Sequence, residues 1–112
     1  MIEDLSDDAI SDRSPKTLEE LCTLISGYYA GADLSLIRRA YEFSELAHSG
    51  QIRRSGEPYI SHPLGVAAIL AELHLDLPTI ATGLLHDTVE DTHATLADIE
   101  NEFGKPIAEI VD

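Results

Sequence analysis

Apolar residues recur at steps of three and four along most of this chain, and no stretch alternates convincingly between apolar and polar. That period belongs to the α-helix and not to the strand, so the fold class reads as all-α. Leu18, Leu21, Cys22 and Ile25 form one stripe, and Leu36, Ile37, Ala40, Phe43, Ser44 and Ala47 a second. Val66, Ile69, Leu70 and Leu73 form a third, and Ile80, Leu84 and Leu85 a fourth. The breaks between stripes carry helix punctuation. Ser14-Pro15 reads as a first start, with Thr17 and Glu20 as a capping box and Gly27 near the end. Asp33 or Ser35 opens a helix that runs to about His48, and Gly50 stops it. The loop from Gly50 to Ser61 is too rich in breakers for a helix. Ser61 is expected to cap the next helix ahead of Pro63, and Asp76 the one after it. Thr95 and Asp98 form a capping pair for Leu96 to Phe103, Gly104 ends that helix, and Lys105-Pro106 opens a last one.

The length of 112 residues bounds the chain at one domain. Residues 1–13 are polar and acidic without a period and read as a frayed or disordered tail, leaving 14–112 as the folded part. The N-terminus has neither the basic nor the apolar region of a secretory signal, and no apolar run is long enough for a membrane span. The single cysteine, Cys22, has no internal partner and reads as a small packed thiol, which fits a reducing, cytoplasmic setting. A net charge of −14 excludes general DNA or RNA binding. It would also repel a phosphate substrate, yet Arg38, Arg39, Arg53 and Arg54 supply four of the seven basic residues and flank the loop leading to His62. They read either as a local basic patch or, for Arg38 and Arg39, as a solvated helix face.

The chemistry concentrates in His86-Asp87-Thr88-Val89-Glu90-Asp91. Taken as one helical turn and a half, His86, Asp87, Glu90 and Asp91 share less than half of the helix circumference. The three carboxylates would repel one another unless a cation sat among them. Imidazole with carboxylate suits manganese, iron or zinc better than calcium or magnesium. His62 opens the preceding helix, and a helix hairpin brings its two outer ends together, so His62, His86 and Asp87 should meet. Glu90 and Asp91 would then stand where they can orient water or protonate a leaving oxygen. The reaction class is metal-assisted hydrolysis of a phosphate ester. His48, His74 and His93 gain no such support and read as surface or packing residues.

From Ala40 to Asp112 the chain resembles the hydrolase domain of the RelA/SpoT family, within the HD phosphohydrolase superfamily. The matching text is Ala47-His48-Ser49-Gly50-Gln51, Arg53-Arg54-Ser55-Gly56-Glu57-Pro58-Tyr59-Ile60, His62-Pro63, Leu85 through Thr92, Phe103-Gly104 and Ile110-Val111. The resemblance implies a helical HD-domain bundle that removes the 3′-pyrophosphate of the guanine nucleotide alarmones ppGpp and pppGpp with manganese. It implies that His62, His86 and Asp87 are metal ligands, that Glu90 and Asp91 are the catalytic acidic pair, and that Arg53, Arg54 and Ser55 contact the nucleotide. The family's last metal ligand is an aspartate lying beyond Asp112. The bundle is therefore expected to be incomplete at its C-terminus, to be completed by further C-terminal regions or a second copy, and to turn over little by itself. A non-catalytic regulatory module that binds a guanine nucleotide or a partner domain is the main alternative. A third keeps hydrolysis and changes the nucleotide. The intact ligand set argues against the first of these, and the Arg53 to Tyr59 loop against the second.

Overall fold

The computed structural model describes residues 17–52, 56 and 58–111, without the side chain of Asp91. The expected acidic tail, the Ser14-Pro15 start and the Arg53, Arg54 and Ser55 positions lie outside these residues. Seven helices follow one another among the described residues: α1 (Leu18–Tyr28), α2 (Leu34–Ala47), α3 (Ser61–Glu72), α4 (Leu77–Leu85), α5 (Thr88–Asp91), α6 (Leu96–Phe103) and α7 (Lys105–Val111). No strand occurs among the described residues. A lone antiparallel bridge between Ile52 and Pro58 closes the neck of the loop between α2 and α3. No helix is long and apolar enough to cross a membrane.

Polar caps set several of the starts. The Thr17 hydroxyl accepts from Glu20 N at 3.1 Å. Asp33 Oδ1 accepts from Ser35 N, which assigns the α2 cap to Asp33. Asp76 Oδ1 accepts from Thr79 N at 2.9 Å, and Thr95 and Asp98 form a reciprocal box. Each satisfies a backbone N–H that the first helical turn leaves unpaired. Two expected boundaries move. Gly27 lies inside α1, and Gly31, with φ of 80°, makes the turn beyond it. Ser61 is not a cap: it is the first residue of α3, after Ile60, and no side chain caps this helix. Ser61 N and His62 N donate instead to the carbonyls of Pro58 and Tyr59, so the turn itself satisfies them.

Helix α4 is the centre of the bundle and packs against α3, α2 and α7. Its sequence is apolar around most of its circumference, as a helix buried on several sides should be. Leu77, Ile80, Ala81, Gly83, Leu84 and Leu85 are all buried. Leu21, Ile25, Ile37, Ala40 and Ile99 close around them. The buried face of α3 differs from the expected stripe. Leu64, Gly65, Ala67, Ala68 and Ala71 face inward, whereas Val66, Ile69 and Leu70 are half-buried and Leu73 is exposed. Small residues let α3 and α4 approach closely. A Cβ on Gly83 would stand 2.8 Å from Leu70 Cδ1 and 3.5 Å from Ala67 Cα.

Arg38 and Arg39 are held in contacts that join helices. The Arg38 guanidinium grips both carboxylate oxygens of Glu19, at 2.6 and 3.1 Å, tying α2 to α1. The same contact holds the Glu19 carboxyl below its usual range. Arg39 donates to the Glu102 carbonyl at 3.1 Å and lies over the Phe103 ring, where it meets the end of α6. Cys22 is buried and unpaired, and burial raises its thiol pKa, in keeping with a packing role.

Candidate metal centre

Helix α4 stops where the chemistry begins. His86 keeps helical angles, but Asp87 swings to φ −96°, ψ −3°, and the chain restarts as the single turn α5. Side chains take backbone carbonyls at this break. Thr88, fully buried, donates through its hydroxyl to Leu85 O at 2.8 Å. His86 Nδ1 donates to Gly83 O at 2.8 Å. Such local side-chain to backbone bonds compete with the helix ladder. The expectation that 86–91 forms one unbroken helical arc is thereby corrected: His86 and Asp87 occupy a turn between two helices.

The turn performs the juxtaposition that the hairpin argument anticipated. His62 sits in the first turn of α3, His86 and Asp87 just past the end of α4, and their rings and carboxylate converge. His86 Nε2 lies 3.1 Å from Asp87 Oδ1, and His62 Nε2 lies 3.4 Å from Asp87 Oδ2. The imidazole centroids are 5.5 Å apart. One potential ligand atom from each of the three lies within 4.8 Å of the other two. The Asp87 side chain is 17% exposed and the histidines about twice that, so the group faces a surface opening and not the core.

These residues fit a divalent cation on their own chemistry. A carbonyl only accepts, so His86 Nδ1 carries a proton, and Nε2, which faces Asp87, is the ring nitrogen left for a cation. Bonding of the far ring nitrogen to a carbonyl is the usual way a protein fixes the tautomer of a histidine ligand. Two ligand atoms at right angles about a cation roughly 2.1 Å away lie about 3 Å apart, near the two histidine–aspartate separations of 3.1 and 3.4 Å. Two imidazoles and one carboxylate make a mixed donor set of the kind transition metals take.

The other expected site residues fall differently. Glu90 is exposed on α5 and does not join the group of three. The Asp91 side chain, Arg53, Arg54 and Ser55 lie outside the described residues. Two residues not assigned a site role from sequence surround the trio. Tyr59 donates its phenol proton to Asp87 Oδ2 at 3.0 Å. His48, buried, stacks on the Tyr59 ring with centroids 4.4 Å apart and planes 23° apart, while its Nδ1 meets Gln51 Oε1 at 3.0 Å. No local pattern in the sequence pairs Tyr59 with Asp87, which lies 28 residues on. His74 stacks on Tyr28 at the surface, and His93 is exposed.

The HD domain family profile matches residues 40–112. A probable GTP pyrophosphokinase of Mycobacterium leprae is 50% identical over 95 residues, which cover 85% of this chain and 12% of that protein. The bifunctional (p)ppGpp synthase/hydrolase SpoT of Escherichia coli is 50% identical over 94 residues, 84% of this chain and 13% of the relative. The chain thus spans about an eighth of the length of these curated relatives. A solved structure of a metazoan ortholog of SpoT, described as hydrolysing ppGpp, superposes with a TM-score of 0.68 at 29% identity, covering 73% of this chain and 48% of the other. With His62, His86 and Asp87 drawn together at the end of a helix hairpin and the profile spanning α3 to α7, the chain belongs to the HD domain family, on its RelA/SpoT branch.

Proposed function

We propose that this chain carries the metal-binding part of a hydrolase site that removes the 3′-pyrophosphate from ppGpp and pppGpp, giving GDP or GTP and pyrophosphate. The observation that carries the reading is the convergence of His62, His86 and Asp87 ligand atoms within 4.8 Å. The names of relatives support the substrate: an Escherichia coli O157:H7 protein called guanosine-3′,5′-bis(diphosphate) 3′-pyrophosphohydrolase is 50% identical over 94 residues. The intact trio disfavours a purely regulatory module.

His62, His86 and Asp87 would hold the cation, with manganese the metal that the family resemblance favours and the donor set admitting iron or zinc as well. Once bound, it would neutralise charge on the phosphate and ease deprotonation of water. The protein does the positioning. Asp87 turns one oxygen to each histidine, and Gly83 O holds His86 by Nδ1, leaving Nε2 for the cation. Glu90 and Asp91 would take the proton from the attacking water and return one to the ribose O3′ as its bond to phosphorus breaks. Arg53, Arg54 and Ser55 would bind the nucleotide, with the Arg53 guanidinium stacked on guanine. Their positive charge answers the repulsion that a chain of net charge −14 exerts on a tetra-anionic or more highly charged ligand.

The test is manganese-dependent release of pyrophosphate from ppGpp. It is run on the chain alone and on a chimera in which this chain replaces the aligned segment of Escherichia coli SpoT. The chimera should yield GDP and pyrophosphate, and His86→Ala should abolish the reaction. A folded chimera that leaves ppGpp intact, or that cleaves nucleoside monophosphates or cyclic nucleotides equally well, overturns the reading.

A further inference from the structure

We infer that Tyr59 is a positioning residue for the metal centre, and that His48 is the buried prop that sets it. This rests on the metal-binding role of the trio and adds residues to it. Asp87 is the one member of the trio that touches both histidines, so its carboxylate orientation decides whether three ligand atoms converge. Asp87 follows the end of α4 on a turn, where the backbone alone leaves its side chain several rotamers. The Tyr59 phenol selects one: it donates to Oδ2 at 3.0 Å, on the oxygen that faces His62.

Tyr59 lies at the close of a loop, which by itself would be a poor anchor. Its position is fixed from three sides. Its backbone N–H donates to Gln51 O at 3.0 Å, next to the Ile52–Pro58 bridge that pins the loop neck. His62 meets its ring edge-on, with centroids 5.8 Å apart. His48 covers the ring by stacking, and only 2% of His48 is exposed. His48 Nδ1 is tied to Gln51, while its Nε2 is buried and without a hydrogen-bond partner. A buried polar atom left unbonded costs free energy, and an apolar ring would fill the same space without that cost. The ring at position 48 contributes a flat face against Tyr59, and its Nδ1 also bonds Gln51, whose carbonyl accepts from Tyr59 N. The chain runs from α2 through His48 and Tyr59 to Asp87, and so links a buried helix end to the ligand. Hydrogen-bond donors to ligating carboxylates typically contribute 10- to 100-fold in metal affinity.

The experiment is a manganese titration of the 112-residue chain, followed by the electron paramagnetic resonance signal of free Mn2+, with metal-free thermal unfolding measured in parallel. Tyr59→Phe keeps the stacked ring and removes the hydroxyl. It should weaken Mn2+ binding about tenfold while leaving metal-free unfolding nearly unchanged. His48→Phe keeps a flat ring over Tyr59 and should keep the affinity within about threefold, whereas His48→Leu, which removes the flat face, should weaken it more than that. His86→Ala is the control for the centre itself and should remove binding. If His86→Ala removes binding but Tyr59→Phe shifts it by less than about threefold, the positioning role is wrong and the metal centre stands. If wild type and His86→Ala retain Mn2+ equally, or neither retains it, the metal-centre reading fails and this inference with it.

Discussion

The α3–α4 pair and the α6–α7 pair are both helix pairs joined by short connections, yet they are held by different physics. The first pair meets through small residues, with Ala67 of α3 against Gly83 of α4. The large side chains around it, Leu84 and Leu85, are fully buried. The second pair carries its order at its ends. A reciprocal box starts α6, Gly104 with φ of 93° ends it, and Arg39 bonds the Glu102 carbonyl in its last turn. Close backbone approach fixes a helix along its whole length, whereas caps and end contacts fix its termini. The trio of His62, His86 and Asp87 hangs from the pair fixed by close approach, which suits the metal site proposed for it.

The comparison predicts that disturbance within α3–α4 reaches the site and disturbance in α6–α7 does not. The largest effect should come from Leu84→Ala, which opens a cavity beneath the centre of the bundle. About 2–5 kcal/mol of stability should be lost, read by chemical denaturation. Ala67→Leu should come next. The added atoms have only Gly83 and its neighbours to push against, so α3 must move off α4, at about 1–3 kcal/mol. Because His62 rides on α3 and His86 on α4, this variant should also weaken Mn2+ binding at temperatures where it is fully folded. An Ala67→Leu variant with native Mn2+ affinity would show that the trio does not depend on the close approach of α3 and α4.

What could be read from sequence divides along the same line. Asp76, Thr95 and Asp98 were legible, and Asp33 as one of two candidates beside Ser35, because a cap is a local contract between residues two or three positions apart. The meeting of His62 with His86 and Asp87 was legible because a helix hairpin has a fixed topology. The buried face of α3 was not. Hydrophobic periodicity follows the large residues Val66, Ile69, Leu70 and Leu73, and the packing that selects Gly65, Ala67, Ala68 and Ala71 depends on how near α4 comes. The turn at His86-Asp87 was hidden for a related reason. Helical spacing is compatible with the whole hexad, and the side-chain bonds of His86 and Thr88 to carbonyls of α4 accompany the interruption. The Tyr59–Asp87 contact spans 28 residues and two elements, beyond any local rule.

The smallest effects belong to the caps and sharpen the contrast. Thr95→Ala removes the hydroxyl that accepts from Asp98 N and should cost about 1 kcal/mol, with Mn2+ affinity unchanged. A loss of affinity in this variant would mean that α6 does reach the centre. At Asp76, which starts α4 itself, the effect should depend on pH. Its carboxyl is held below the usual range by the hydrogen bonds it accepts from Thr79, from the side chain first and then the backbone. A depressed folded-state pKa contributes stability that is fully present above the unfolded value, about 3.9, and is lost as pH falls through the lower folded value. Asp76→Ala should therefore lower the unfolding temperature at neutral pH, and the gap to wild type should narrow as the solution is acidified below about pH 4. Asp76→Asn keeps a capping oxygen without the charge, so it should lie closer to wild type at neutral pH than the alanine variant does. If the alanine gap stays constant through the acid range, the cap acts by geometry alone and the ionised carboxylate adds nothing to the start of α4.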